Sequence, residues 1–519
     1  MRTKNISRRS VLLGASAVAG SATLLPGVVK AQSSGILRVA QPWEFRSLKL
    51  SETGFAYTRS GLLETLVAAD TQGRIMPAIA ESWSVSDNAS VWRFRIRQGV
   101  VFHDGTACTP AAIKASFERL LPMSLYLKSA GITAIEVDGD HLVFRLKESF
   151  GPLLAYLVDN SASVVAPAAF NAQNEVTTLI GTGPFKLDML ESQRSMSLAR
   201  HDSYWGVKAN VARVRYDAVT NGETRGNIAI AGDADLVFNI PAPSVRRVEA
   251  AREMRVERPI IPRVHILMLN CNKPQFSDRR ARQALNLALD RQAIASGIMR
   301  NPSLAATQYM PPALADWHFS DIAGHRHDVA AANSLLDQAG WTRSPDGIRS
   351  KDGVRFAGTI RTFANRPELP IIATAMQTQF REIGFDLSIS VGESLAIVEG
   401  QRDGTIDLGL SSRNLTMIPD PIATVALDFA TDTISAGAVG VTGWRNDALR
   451  DHVKRYMREV DNASKAAIRR KIVDIIHTEV PLIPVVWYDQ IVAVNRRVDG
   501  FRNDPFEQRL YLNEVKLTG

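Results

Sequence analysis

The segment SSRNLTMIPDP, residues 411–421, sets one arginine between the strand-like run TIDLGL and a proline-rich turn. A guanidinium there has two uses: a solvated loop charge, or the anion-holding end of a ligand pocket, where its planar fork of donors matches a carboxylate. Other reactive residues do not assemble into a catalytic pattern. His325 and His327 flank Arg326 in a polar stretch before a helix, with no third ligand at short spacing, whereas a protein metal site needs three or four. They read as a solvated loop. The chain lacks GxxxxGK, GxGxxG, GxSxG and HExxH, the signatures of phosphate, dinucleotide, serine-hydrolase and zinc-peptidase sites. Ser, His and Asp are scattered, so a spatial triad, and with it a hydrolase, stays open as an alternative. Cys108 and Cys271 stand far apart without metal-ligand spacing and are expected as free, buried thiols.

The elements that must position such residues alternate between helix and strand. In TPAAIKASFERL, Thr109 is the expected N-cap and Pro110 the first helical residue, where its missing N–H is harmless. DRRARQALNLALDRQAI carries Ala281, Ala284, Leu285, Ala288 and Leu289 at helical spacing. HDVAAANSLLDQAGW stops at Gly340, PIIATAMQTQFREIGF at Gly384, and SKAAIRRKIVDIIHTEVP before Pro481. Strands are predicted at GILRVAQ, VWRFRIR, HLVFRLK, MSLARH, VHILMLN, FDLSIS, IDLGL and LIPVVWYDQIVAV. The class is α/β or α+β, with mixed sheets covered by helices.

Residues 1–31 join a basic start (Arg2, Lys4, Arg8, Arg9), the apolar run VLLGASAVAGSATLL and Val29-Lys30-Ala31, the parts of a signal peptide cleaved after Ala31. SRRSVLL, with Arg8 and Arg9 adjacent, resembles the twin-arginine export signal, which implies a periplasmic product. Gly14, Ser16, Gly20, Ser21 and Pro26 argue against a membrane anchor, and no later stretch is apolar for long enough to span. Without the signal the formal charge drops from +8 to +3, so the mature chain has no basic footprint for nucleic acid or anionic lipid.

Three segments carry a resemblance: MPAIAESWSVSDNASVWRFRIRQGVVFHDGTACTPAAIKASFERL (76–120); IGTGPFKLDML with ARHDSYWG and GDADLVFNIP; and LMLNCNKPQFSDRRARQALNLALDRQAI with AANSLLDQAGW. In order and spacing they resemble the family 5 solute-binding proteins of ABC importers, which carry oligopeptides, dipeptides, nickel and metal chelates. Their glycines and HDG read first as turn chemistry and SYWG as packed aromatics. The resemblance implies a two-lobed periplasmic binding protein, type II, with an extra subdomain and mixed sheets flanked by helices. Its lobe I is 36–60, 181–264 and 485–519, its extra subdomain 61–180 and its lobe II 265–484. It also implies a ligand cleft between lobes, closure by a hinge, an inner-membrane permease as partner, a monomer, and no catalysis.

Within that family, residues 391–421, with QRDG and an arginine before DP, are closest to the nickel and metallophore branch. Met417 stands where peptide-binding relatives place the acid that meets a peptide's ammonium group, so ordinary peptide capture is disfavoured. Leu415, Pro419, Asn160 and the region of Thr433 depart from the nickel pattern. Any metal is therefore expected only within a bound chelate, with no cofactor of the protein's own. The resemblance implies that Arg413 holds a ligand carboxylate, with Asn414 and Thr416 as neutral donors and Met417 as an adaptable wall, and that replacing Arg413 weakens binding without unfolding. Trp43 and Glu44 after the first strand, Tyr126 and Asn160 from the extra subdomain, and Arg361 and Phe363 at a strand end are further candidates. The alternative ligand is an oligopeptide or dipeptide bound by different amine recognition.

Overall fold

Alternating apolar positions become strands whose register is set by which face must be buried, and three larger sheets result. The structure, a computed structural model, describes residues 35–86, 89–124, 126–364, 366–416, 418–431 and 442–518. Arg8, Arg9, Met417 and Thr433 lie outside them. A seven-stranded sheet runs, edge to edge, Met254–Glu257, Val492–Asn495, Leu236–Phe238, Ile36–Gln41, Arg213–Ala218, Ser195–Arg200 and Phe185–Glu191. Its first strand pairs in parallel on both sides. Leu37 and Val39 fill one core while Ala40 joins Val237 and Val248 in another, as a sheet covered on both faces requires.

A five-stranded sheet has the order Asp386–Gly392, Ala357–Phe363, Leu408–Asn414, Ile260–Leu269 and Leu482–Asp489. A four-stranded antiparallel sheet has the order Ala80–Val85, Val91–Ile96, His141–Leu146 and Ile132–Asp138. Helix Pro110–Leu120 closes it with Ile113 and Phe117, and Thr109 caps that helix by accepting from the Ala112 N–H as expected. Two predicted runs are divided. The 278–294 run becomes Arg279–Ala288 and Arg291–Gly297, each with its own aspartate cap, Asp278 and Asp290. The run LIPVVWYDQIVAV breaks at Gln490 into strands of different sheets.

The recurrent motifs are structural fasteners. Gly181 and Gly183 pass so close to the chain that an added Cβ would stand 2.4 Å from Leu62 O and 2.2 Å from Gly61 O. His103 of HDG accepts from the Gly181 N–H through Nδ1 (3.1 Å), which leaves Nε2 to donate to Gly183 O (3.2 Å). Thr182, Tyr204 and Trp205, from IGTGPF and SYWG, all donate to the buried Glu64 at 2.9, 2.9 and 3.0 Å. SYWG thus serves through polar atoms as well as packing. Both cysteines are buried and free.

Burial, more than the neighbouring His201, lowers the His103 pKa to about 4. Between the ordinary histidine range near 6.5 and 4 the unfolded chain binds the proton that the folded one refuses, so stability falls as pH drops through that window. Denaturant midpoints from pH 7 to 4 are expected to decline in the wild type and to decline less in His103→Gln. The expected solvated loop at 325–327 holds only for Arg326 and His327, which are exposed. His325 is half-buried: its ring stacks on His477 with centroids 4.1 Å apart, and its Nδ1 lies 3.0 Å from Asn286 Nδ2.

Candidate ligand-binding site at the strand crossing

The seven- and five-stranded sheets are joined by two chain crossings that lie side by side. Only Arg258 and Pro259 separate strand Met254–Glu257 from Ile260–Leu269, and only Gln490 and Ile491 separate Leu482–Asp489 from Val492–Asn495. Glu257 pairs with Val492 and Ile260 with Asp489, while the Gln490 N–H donates to Pro259 O at 3.0 Å. Arg258 closes the crossing by an ion pair to Asp489 at 2.8 Å.

The C-terminal segment NDPFEQR folds onto this point. The Asp504 carboxylate accepts from the backbone N–H groups of Phe506, Gln508 and Arg509, a tight turn that holds Glu507 at φ +55°, in the left-handed region. Non-glycine residues adopt that conformation at a cost, and it clusters at functional places. The Glu507 carboxylate accepts from Arg263 (2.9 Å) and Gln490 (3.1 Å) and pairs with Arg59 (3.2 Å). Burial pushes this carboxyl up, but Arg59, Arg263 and Arg366 together hold it below the usual range. Arg59 also lies 4.8 Å from the Trp43 ring and 5.3 Å from that of Phe55. Arg263 and Arg366 each stand 5.4 Å from the Tyr488 ring.

Strand pairing carries the site onward. Arg263 is opposite Asn414 and Val264 opposite Arg413, so Arg413 belongs to the strand Leu408–Asn414 rather than to a loop after it. Its Nε and Nη2 donate to Asp428 at 2.8 and 2.6 Å, and the Tyr309 hydroxyl donates to the same carboxylate at 3.0 Å. Burial opposes the Arg413 charge, yet Asp428 and Tyr309 hold its pKa above the ordinary value. Tyr126 lies within electrostatic reach of both members of the pair and lines a cavity of about 590 Å³ with Phe150, Tyr156 and Leu427.

Trp43 thus lies beside Arg59, and Tyr126 near the Arg413–Asp428 pair, with Asn414 and Thr416 at the end of the Arg413 strand, but their roles differ from those expected. The Arg413 fork is engaged by a protein carboxylate. Asn414 Oδ1 accepts from the Thr416 N–H at 3.1 Å, a local turn, and Thr416 is buried. Glu44 pairs with Arg46 at 2.7 Å, and Asn160 Nδ2 donates to Leu50 O at 2.5 Å, fastening helix Leu50–Arg59. Arg361 does not join the group: it reaches Thr405 O and Oγ1 at 3.1 and 3.0 Å, beyond the opposite end of the Arg413 strand. Phe363 packs in the hydrophobic core. Asp420 of the DP turn receives the Tyr456 hydroxyl at 2.8 Å. Sequence reasoning missed Arg59, Arg263, Arg366, Asp428, Tyr309, Tyr488 and Glu507.

Two mixed sheets joined by paired crossings, with a further sheet attached, define a two-lobed periplasmic binding protein. The chain belongs to the bacterial extracellular solute-binding proteins of family 5, whose middle region matches residues 74–434. It is 24% identical over 489 residues to the oligopeptide-binding protein AppA of Bacillus subtilis, covering 90% of this chain and 88% of that one. It is 23% identical over 497 residues to the nickel-binding protein NikA of Staphylococcus aureus, covering 95% and 96%. NikA from Brucella suis, solved in complex with Fe(III)-EDTA, superposes with a TM-score of 0.82 at 23% identity, over 93% of this chain and all of that one. The family is one of substrate-binding receptors serving ABC importers. Among the described residues no three His, Cys, Asp or Glu are grouped to hold a metal ion, and no helix is long and apolar enough to cross a membrane.

Proposed function

We propose that the protein is an exported, non-catalytic receptor that captures a small carboxylate-bearing solute where its lobes cross and delivers it to an inner-membrane ABC permease. The solute is a metal chelate, a metallophore or a short modified peptide. On this reading lobe I comprises 36–60, 181–264 and 485–519, the extra subdomain 61–180 and lobe II 265–484. The carrying observation is the cluster of guanidinium groups at the crossing, where Arg59, Arg263 and Arg366 all act on the carboxylate of Glu507 while Arg366 has no ion pair among the described residues. Such a partly desolvated cationic surface favours an anionic guest. On this reading Trp43, beside Arg59, is one wall, and Tyr126 and Thr416, near Arg413, bound the ligand from the other side. The protein acts as a monomer in the periplasm after export through the Arg8-Arg9 signal and cleavage after Ala31, and it holds metal only inside a bound chelate.

Native mass spectrometry of protein purified from its own periplasm tests this. A retained small acid whose mass shifts when metal is stripped supports the chelate. A ladder of peptides selects instead the oligopeptide receptor that the likeness to AppA favours. Protein that retains nothing and is not thermally stabilised by any chelate or peptide overturns the receptor reading.

A further inference from the structure

Five arginines stand at or beside the crossing, and four of them have a carboxylate within ion-pairing distance: Arg59 and Arg263 on Glu507, Arg258 on Asp489, and Arg413 on Asp428. The fifth, Arg366, has no ion pair among the described residues. The nearest acid in sequence, Glu368, is committed elsewhere, with Oε1 3.3 Å from Nε2 of the fully buried His265. Arg366 is partly exposed and follows strand Ala357–Phe363, which runs parallel to the Arg413 strand, so it emerges at the same end of the sheet as Arg413 and Asn414.

We infer that Arg366 is the residue that receives the carboxylate of the captured solute. This rests on the receptor reading above and assigns its specificity to a different arginine from the one the sequence favoured. The geometry supports it in three ways. The Arg366 guanidinium lies 5.4 Å from the Tyr488 ring, and ring contact orients a guanidinium while leaving its N–H edge able to grip a carboxylate at two points. The same ring carries Arg263 at 5.4 Å, so two cations share one platform while the carboxylate of Glu507 ion-pairs with only one of them. A guest carboxylate beside Arg366 supplies the direct ion-pair partner that Glu507 and Glu368, which act on it at longer range, do not. Finally, among the described residues removing Arg366 breaks no direct ion pair, so this position is free to answer to a ligand, whereas Arg413 is bound to the fold by Asp428.

The test is calorimetric titration of the mature full-length protein with three carboxylate probes, Fe(III)-EDTA, nickel citrate and the nickel–histidine complex, and with a carboxylate-free nickel–phenanthroline complex. Wild type is expected to bind at least one of the first three in preference to the last. Arg366→Gln and Arg366→Ala are expected to weaken that binding about 10- to 100-fold, the range of a two-point charge-assisted hydrogen bond. Arg366→Lys, which keeps a charge but not the fork, should recover part of the loss, and all three variants should melt within about 2 °C of wild type, as surface substitutions without orphaned partners do. Unchanged affinity in Arg366→Ala overturns the assignment and leaves the receptor reading standing. Wild type that binds none of the carboxylate probes overturns the assignment together with the chelate form of the receptor reading.

Discussion

Arg413→Ala is expected to cost about 3–5 kcal/mol of stability, the usual consequence of taking one partner from a buried ion pair. The Asp428 side chain is wholly inaccessible, and without the guanidinium it keeps, among the described residues, the Tyr309 hydroxyl. This replaces the expectation that the arginine could be removed without unfolding. Urea denaturation followed by tryptophan fluorescence measures the effect. The double change Arg413→Met with Asp428→Leu should recover most of the loss, because exchanging both members of a buried pair for apolar groups is often neutral. A single variant as stable as wild type would contradict the buried-pair account.

Glu507→Ala is expected to be equally damaging, at about 3–5 kcal/mol, since it leaves Arg59 and Arg263 facing each other without their shared acid. The pH dependence follows from the direction of the shift. Because the folded Glu507 pKa lies below its ordinary value, its stabilisation is present above the usual glutamate range near 4.5 and is lost as pH falls through the folded pKa. Comparing acid unfolding of wild type and Glu507→Ala therefore should show the two curves converging at low pH. Glu507→Gly should be less harmful than Glu507→Ala by about 1 kcal/mol, because glycine accepts φ +55° without strain. Equal losses in the two would show that the turn stores no strain.

The elements were legible where local chemistry decides them. Thr109-Pro110 announced a helix start, and Gly340 and Gly384, at φ +85° and +79°, end theirs. The division of LIPVVWYDQIVAV at Gln490 was not legible, since apolar periodicity continues while the chain changes sheets. The site was half legible. Trp43 lies beside Arg59, and Tyr126 near the Arg413–Asp428 pair, but the decisive partners lie far along the chain, and Glu507 joins Arg263 across 244 positions. A usable signal existed nonetheless: Asp428 is a lone acid in the apolar helix IATVALDF, and Arg263 the one arginine or lysine in the largely apolar strand IIPRVHILML. A charge placed where burial is certain demands a partner.

The turn at Asp504 brings one more consequence. Glu507 is the acid that lets Arg59 and Arg263 coexist at the crossing, although it lies 448 positions after the first and 244 after the second. The charge balance of the crossing is therefore set from a distant part of the chain: without this turn, Arg59 and Arg263 would remain as unmatched interior charge.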